Sequence, residues 1–173
     1  PMSDLLTSLT HGNGLVTTAV YDPDYRLTSL AMKDGALSVS SFAYSYSDKM
    51  NLTWIADLVT AANGDTLTYS PANRLATANG SYGQSSFAYD GVGNRLTDVN
   101  TLASVTRNRQ ANYGATNNRL TSITENGAAF RSYTYDNGGN TLTESRPGES
   151  FAHTYNKRNR LVTVTRNAAA YAT

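Results

Sequence analysis

Tyr89-Asp90-Gly91-Val92-Gly93-Asn94-Arg95-Leu96 decides the fold, because the chain repeats this phrase in altered form along its whole length. Tyr21, Tyr46, Tyr69, Tyr89, Tyr113, Tyr135 and Tyr155 each open a version of it, at successive intervals of 25, 23, 20, 24, 22 and 20 residues. Five residues after each tyrosine stands Arg or Asn: Arg26, Asn51, Arg74, Asn94, Asn118, Asn140 and Arg160. Leucine follows one or two places later, as Leu27, Leu52, Leu75, Leu96, Leu120, Leu142 and Leu161. Periods of 20 to 50 residues mark repeat architectures, in which each repeat is one supersecondary unit.

The unit reads as a β-hairpin. Four residues after the tyrosine come Asn73, Gly93, Asn117, Gly139 and Asn159 in five of the repeats. Both residue types tolerate positive φ, so a tight turn follows each tyrosine. Asp22, Asp90, Asp136, Ser47 and Ser70, each next to its tyrosine, are placed to hydrogen-bond the turn backbone. Upstream, Phe42/Tyr44/Tyr46, Leu67/Tyr69, Phe87/Tyr89, Tyr133/Tyr135 and Phe151/His153/Tyr155 alternate with a period of two, which lines one strand face. Downstream runs such as Arg119-Leu120-Thr121-Ser122-Ile123-Thr124 are β-rich. They lead to second turn signals at Asp34-Gly35, Asn63-Gly64, Asn79-Gly80, Asn126-Gly127 and Pro147-Gly148. Leu52–Val59 in the longest repeat suits a strand or a short helix.

A lone hairpin cannot bury its apolar face, so successive units are expected to pair edge to edge with their tyrosines stacked as a ladder. The expected fold is all-β: tandem antiparallel hairpins in one continuous sheet, a single array over 1–173 with a lead-in segment over 1–15. Gly93, Gly139, Asn94, Asn140, Arg26, Arg74 and Arg160 are its structural turn residues.

Composition narrows the function classes. A net charge of +1 gives no electrostatic footprint for nucleic acid, and no apolar run reaches the ~18 residues of a spanning helix. The absence of cysteine excludes a thiolate nucleophile, a disulfide framework and a cysteine metal site. Pro1-Met2-Ser3-Asp4-Leu5-Leu6 lacks the basic-then-apolar pattern of a signal peptide, and Pro1-Met2 together with the close at Ala172-Thr173 reads as an excised piece.

Tyr89 to Leu96, Tyr135-Asp136-Asn137-Gly138-Gly139-Asn140 and Tyr21-Asp22-Pro23-Asp24-Tyr25-Arg26-Leu27 resemble the repeats of the RHS/YD family. Ser8-Leu9-Thr10-His11-Gly12-Asn13-Gly14 resembles the segment that precedes such repeats in bacterial members. The resemblance implies a curved or spiralling sheet forming part of a hollow YD shell, as in toxin-complex cocoons, Rhs effectors and teneurins. It implies a non-enzymatic scaffold that is secreted or at the cell surface. The shell encloses a cargo polypeptide, or presents a protein- or carbohydrate-binding surface. Self-association through edge strands, or pairing with flanking repeats of a longer parent, follows from the exposed sheet edges. The Asp-Pro-x-Gly-Leu segment at which many members cleave themselves does not occur, so that chemistry is not carried over.

Among individual residues, His11 and His153 are the candidates for a catalytic role, and the rival reading is a hydrolase or lyase acting on a polymer. His11 lies in a Gly/Asn-rich loop and His153 on the aromatic face, where a stacked structural histidine is the simpler expectation. Asp22, Asp90 and Asp136 recur at one phase of the repeat, as turn-capping residues do and a unique glycosidase pair does not. Neither metal nor cofactor is expected, since two distant histidines form no ligand cluster. Carbohydrate is the physical alternative among ligands, with Trp54, Tyr44, Tyr82 and Tyr133 as candidate stacking platforms.

Overall fold

The computed structural model describes residues 5–167 and 169–172, so the first four residues of the 1–15 lead-in lie outside it. The chain forms two units, Pro1–Ser86 and Phe87–Thr173, and the boundary falls inside a strand. The first carries β1 (Ser8–Thr10), β2 (Val16–Tyr21), β3 (Leu27–Asp34), β4 (Leu37–Tyr46), β5 (Leu52–Asp57), β6 (Asp65–Tyr69), β7 (Leu75–Gly80) and the start of β8 (Gly83–Tyr89). The second continues with β9 (Arg95–Leu102), β10 (Val105–Tyr113), β11 (Leu120–Glu125), β12 (Ala128–Tyr135), β13 (Thr141–Arg146), β14 (Glu149–Tyr155), β15 (Leu161–Arg166) and β16 (Ala169–Ala172). Strand order is chain order throughout and the pairing is antiparallel, a meander of hairpins. Leu52–Asp57 is a strand, and helix is confined to one 3₁₀ turn, Ala61–Asn63, among the described residues.

Six of the seven turns after a tyrosine are built the same way. The next residue donates its N–H to the carbonyl four places on and accepts from the N–H three places on: Asp22 with Arg26 and Tyr25, Asp90 with Asn94 and Gly93, Asp136 with Asn140 and Gly139. Closing so short a loop requires one positive φ, found at Tyr25, Met50, Asn73, Gly93, Gly139 and Asn159. The side chain that opens the turn caps it. Asp90 Oδ1 accepts from the amides of Val92, Gly93 and Asn94, at 3.1, 2.8 and 2.8 Å, and Ser47 and Ser70 accept from Asn51 and Arg74. In the fifth repeat the loop is one residue longer. Gly114 accepts from Asn118 and donates to Arg119, and the positive φ falls on Asn118 instead of the expected Asn117.

A β-bulge follows these turns. Val20 faces Ser29 while Tyr21 faces Leu27, leaving Thr28 extra; Thr53, Ala76, Thr121, Leu142 and Val162 are extra in the same way. Thr28, Thr53 and Thr121 turn their hydroxyls onto the facing carbonyls of Val20, Ser45 and Asn112. The recurring leucines therefore do not share one face. Leu27, Leu52, Leu75, Leu120 and Leu161 lie directly opposite their tyrosines, whereas Leu142 is itself the bulge and Thr141 takes the facing place.

Three of the remaining turns depart from expectation. Asn79 and Gly80 belong to β7, and the turn is Ser81-Tyr82. Gly80 serves close approach instead: a Cβ there would collide with the Asp65 carboxylate and lie 2.7 Å from the Tyr82 ring. Asn63-Gly64 closes a 3₁₀ loop instead of a two-residue hairpin. Ala103 and Ser104 turn the β9–β10 hairpin with φ of 48° and 66°, without Gly or Asn at either place.

Cross-strand neighbours share a face, so the register divides each unit into a tyrosine face and a far face. Among the described residues only Ala56 and Ala78 are nearly inaccessible, at 7% each, and no large side chain is fully enclosed. Within each unit the aromatic face of the sheet is half-exposed.

Candidate functional site

Two ladders hold the tyrosine side of the sheet. In the first, a tyrosine hydroxyl donates to the carbonyl of the residue that opens the strand after the preceding tyrosine's turn. Tyr46 reaches Leu27 at 2.8 Å, Tyr113 reaches Arg95 at 3.2 Å, Tyr135 reaches Leu120 at 2.8 Å and Tyr155 reaches Thr141 at 3.0 Å. Tyr21 donates to the Leu6 carbonyl at 3.3 Å. In the second ladder, turn residues of adjacent repeats bond each other. Asn51 Nδ2 donates to Asn73 Oδ1, Asn94 to Asn118 and Asn140 to Asn159, while Arg119 donates to the carbonyls of Asp136 and Asn137. Arg26 and Arg119 also lie over the next tyrosine rings, Tyr46 and Tyr135, at 5.1 and 5.7 Å from the centroids.

The turn carboxylates are shifted by this network. At Asp22 burial opposes ionisation, yet the Arg26 amide and guanidinium hold the carboxyl below its usual range. At Asp90 burial is likewise outweighed by the Asn94 side chain and the turn amides. At Asp136 the Asn140 side-chain amide is the foremost cause of the same downward shift.

Above the ladders the two units differ. In residues 1–86 the tyrosine face carries Ala19, Leu30 and Phe42 in one cross-strand row, and Tyr44 beside Ile55 in another. In the second unit this face is ionic. Arg109 bonds Glu125 at 2.7 Å, Glu144 binds both Arg131 and Arg146, and Glu149 continues the chain to Arg146 and Arg166. Phe130 lies under Arg109 and Arg131, and Phe151 under Arg146. The Arg146 guanidinium, with Arg131 behind it, holds the Glu144 carboxyl below the usual range against the cost of burial. The pairs Arg109–Glu125, Arg131–Glu144 and Arg166–Glu149 lie 13 to 17 residues apart in the chain, so spacing gave no sign of them.

The four stacking candidates are not brought together. Tyr44 and Tyr133 lie on the tyrosine face of different units, facing Ile55 and Glu144. Trp54 faces Ser45 and Thr66, on the far face. Tyr82 sits in its turn with the Asp65 carboxylate as partner, and burial with that neighbour raises its phenol. Of the catalytic candidates, His11 Nε2 bonds Thr17 Oγ1 at 2.8 Å, and His153 faces Val164 with its enclosed Nδ1 unpartnered. No group of three His, Cys, Asp or Glu placed to hold a metal occurs among the described residues, and no helix there is long and apolar enough to cross a membrane.

Turn grooves open between neighbouring repeats. One of about 560 Å³ is lined by Asp48, Lys49, Tyr69, Pro71 and Asn73 among others, and its rim is tied by Lys49 Nζ to the Pro71 carbonyl. A similar groove of about 440 Å³ lies between Asp90, Val92 and Tyr113-Gly114-Ala115-Thr116.

No family model matches the sequence, and no curated protein matches it. The fold does match solved structures. The crystal structure of TcdB2-TccC3-TEV superposes with a TM-score of 0.51 at 13% identity, over 98% of this chain and 9% of that one. The crystal structure of TcdB2-TccC3-Cdc42 gives 0.43 at 14% identity, over 94% of this chain and 12% of that one. The chain thus spans about a tenth of the length of the proteins it resembles, and at this identity the likeness is one of fold. The antiparallel hairpin meander and the phased tyrosine phrase fit the RHS/YD resemblance of the sequence, as a likeness of fold.

Proposed function

We propose that the chain is a non-enzymatic β-repeat scaffold: a section of shell wall whose tyrosine face lies against an enclosed cargo polypeptide. The observation that carries this reading is the exposure of the tyrosine face. Tyr44, Phe42 and Ile55 in the first unit and Tyr133 and Phe151 in the second are half-exposed on that face, as a surface built to be covered would be. Apolar rows, ion pairs and stacked arginines offer an unfolded chain contacts of every kind without demanding one shape. The fold likeness to TcdB2-TccC3-TEV supports the scaffold half of the reading. The partners it implies are neighbouring repeats and the enclosed chain, in a secreted or cell-surface setting.

The test uses reduced, carboxymethylated α-lactalbumin as a permanently unfolded probe, with oxidative footprinting of the complex. Protection of Tyr44 and Tyr133 with Trp54 left reactive is the expected result. Absence of a complex, or protection confined to Trp54, overturns the reading.

A further inference from the structure

We propose that the turn Asp136-Asn137-Gly138-Gly139-Asn140 modifies itself, by attack of the Gly138 nitrogen on the Asn137 side-chain amide. Ammonia leaves, and water opens the resulting succinimide to aspartate or isoaspartate at position 137. Asp136 and Arg119 promote the step. This concerns the covalent chemistry of one turn and does not rest on the wall reading.

The step needs a proton removed from an amide nitrogen, an open approach, and a side-chain amide that nothing else holds. The Gly138 N–H points at the Asp136 carboxylate, and a Cβ at Gly138 would lie 3.3 Å from Asp136 Oδ1. A carboxylate can take up that proton, which a carbonyl partner cannot. Asn140 fixes the carboxylate in place, its amide donating to Oδ1 at 2.9 Å and its Nδ2 to Oδ2 at 2.7 Å. From the preceding turn, Arg119 Nη2 donates to the Asn137 carbonyl at 3.3 Å and Nη1 to the Asp136 carbonyl at 2.6 Å. The first of these bonds polarises the peptide group whose N–H must ionise, so the proton is easier to remove. Glycine has no side chain to block the nitrogen, and Asn137 and Gly138 are both exposed. The turn's own bonds run through Asp136, Gly139 and Asn140, which leaves the Asn137 side chain outside them.

Atoms and protons balance. The Gly138 nitrogen bonds to Asn137 Cγ as the Cγ–Nδ2 bond breaks, and the proton taken by Asp136 departs with Nδ2 as ammonia, which restores the carboxylate. Water then cleaves one of the two imide C–N bonds. Cleavage at the main-chain carbonyl gives isoaspartate, in which that carbonyl becomes a free carboxylate at the place to which Arg119 already donates. The chain has four more Asn-Gly pairs, and in each the nucleophile or the side chain is committed elsewhere. The Gly14 N–H donates to the His11 carbonyl, and Asn13 Oδ1 accepts from the Leu15 amide. The Gly64 N–H donates to the Ala61 carbonyl. Asn79 Oδ1 is enclosed within β7, and Asn126 Oδ1 accepts from the Asn108 amide at 2.8 Å. The equivalent places in the other two Asp-capped turns hold Pro23-Asp24 and Gly91-Val92, which carry no side-chain amide.

The purified chain is held at neutral pH and its tryptic peptides are followed over time by mass spectrometry. Cleavage at Arg131 puts Asn126 and Asn137 on separate peptides. Conversion at Asn137 should run about tenfold or more faster than at the other four pairs. That advantage should vanish in urea, where the turn is gone. Asp136→Ser keeps a cap of the kind Ser47 and Ser70 provide and should slow conversion about tenfold. Arg119→Gln should slow it about threefold. Gly138→Val, which copies Val92 of the Asp90 turn, should stop it. Hydrogen-exchange protection over β12 and β13 should stay unchanged in Asp136→Ser, which separates the chemistry from loosening of the turn. Equal conversion at Asn137 and Asn126 in the folded chain overturns the proposal. So does conversion that Asp136→Ser and Arg119→Gln both leave at the parent rate.

Discussion

The tyrosine faces of the two units do the same structural task with different chemistry. Residues 1–86 cover theirs with Leu30, Phe42, Tyr44, Ile55 and Leu67, and their acids Asp57 and Asp65 are occupied locally, by loop amides and by Tyr82. Residues 87–173 thread theirs with Arg109, Glu125, Arg131, Glu144, Arg146, Glu149 and Arg166. The tyrosine ladder, the capped turn and the bulge are common to both. The backbone frame is thus fixed by a few recurring residues near the turn, and the face above it is free to be apolar or ionic.

The contrast can be broken first from the apolar side. Phe42→Ala removes an aromatic from the row between Leu30 and Asp57 and should cost about 2–3 kcal/mol, less than for a fully enclosed ring. Faster hydrogen exchange across β3 to β5, unchanged between 0.05 and 1 M NaCl, would mark it as a packing loss. On the ionic side, Glu144→Ala strips Arg131 and Arg146 of their shared partner and should cost about 1–2 kcal/mol, read over β12 to β14. Its cost should shrink in 1 M NaCl, where screening has already weakened the pair in the parent chain. A salt response equal in the two substitutions would erase the distinction.

Acid sharpens the same contrast. The Glu144 and Asp136 carboxyls ionise more easily in the folded chain than in the unfolded one. Their contribution is therefore complete above the ordinary carboxylate range and is lost as pH falls through and below it. Protection over β12 to β14, taken relative to the intrinsic exchange rate at each pH, should fall on acidification before protection over β3 to β4, where Leu30 faces Phe42. The smallest effect belongs to a turn. Replacing Ala103-Ser104 by Asn-Gly relieves two strained positive φ angles and should stabilise β9–β10 by about 0.5–1 kcal/mol, measured as a shift in denaturant midpoint.

The hairpin repeat was legible because its marks are local: a tyrosine, a capping Asp or Ser, and a residue that accepts positive φ, all within six positions. Where the signal was ambiguous, geometry decided. Asn79-Gly80 has the composition of a turn, but the glycine is needed because Asp65 and Tyr82 crowd its Cα. Ala103-Ser104 has no turn composition and turns nonetheless, since the pairing of β9 with β10 leaves two residues for the reversal. The fifth turn differs by one inserted residue, which moves the left-handed place from Asn117 to Asn118 without changing the Arg-Leu that follows. The ionic face was illegible because Arg109 with Glu125, Arg131 with Glu144 and Arg166 with Glu149 meet only through register. Trp54 could be named as a stacking residue from its type alone, but its separation from Tyr44 depends on the alternation of β5 against β4.

The direction of the tyrosine bonds bears on synthesis. Tyr46, Tyr113, Tyr135 and Tyr155 each supply the hydroxyl, and the repeat made before supplies the carbonyl. A chain leaving the ribosome from its N-terminus therefore always meets an acceptor that is already in place. Growth proceeds one hairpin at a time, and the newest tyrosine latches the finished strand behind it while the next turn is still being made.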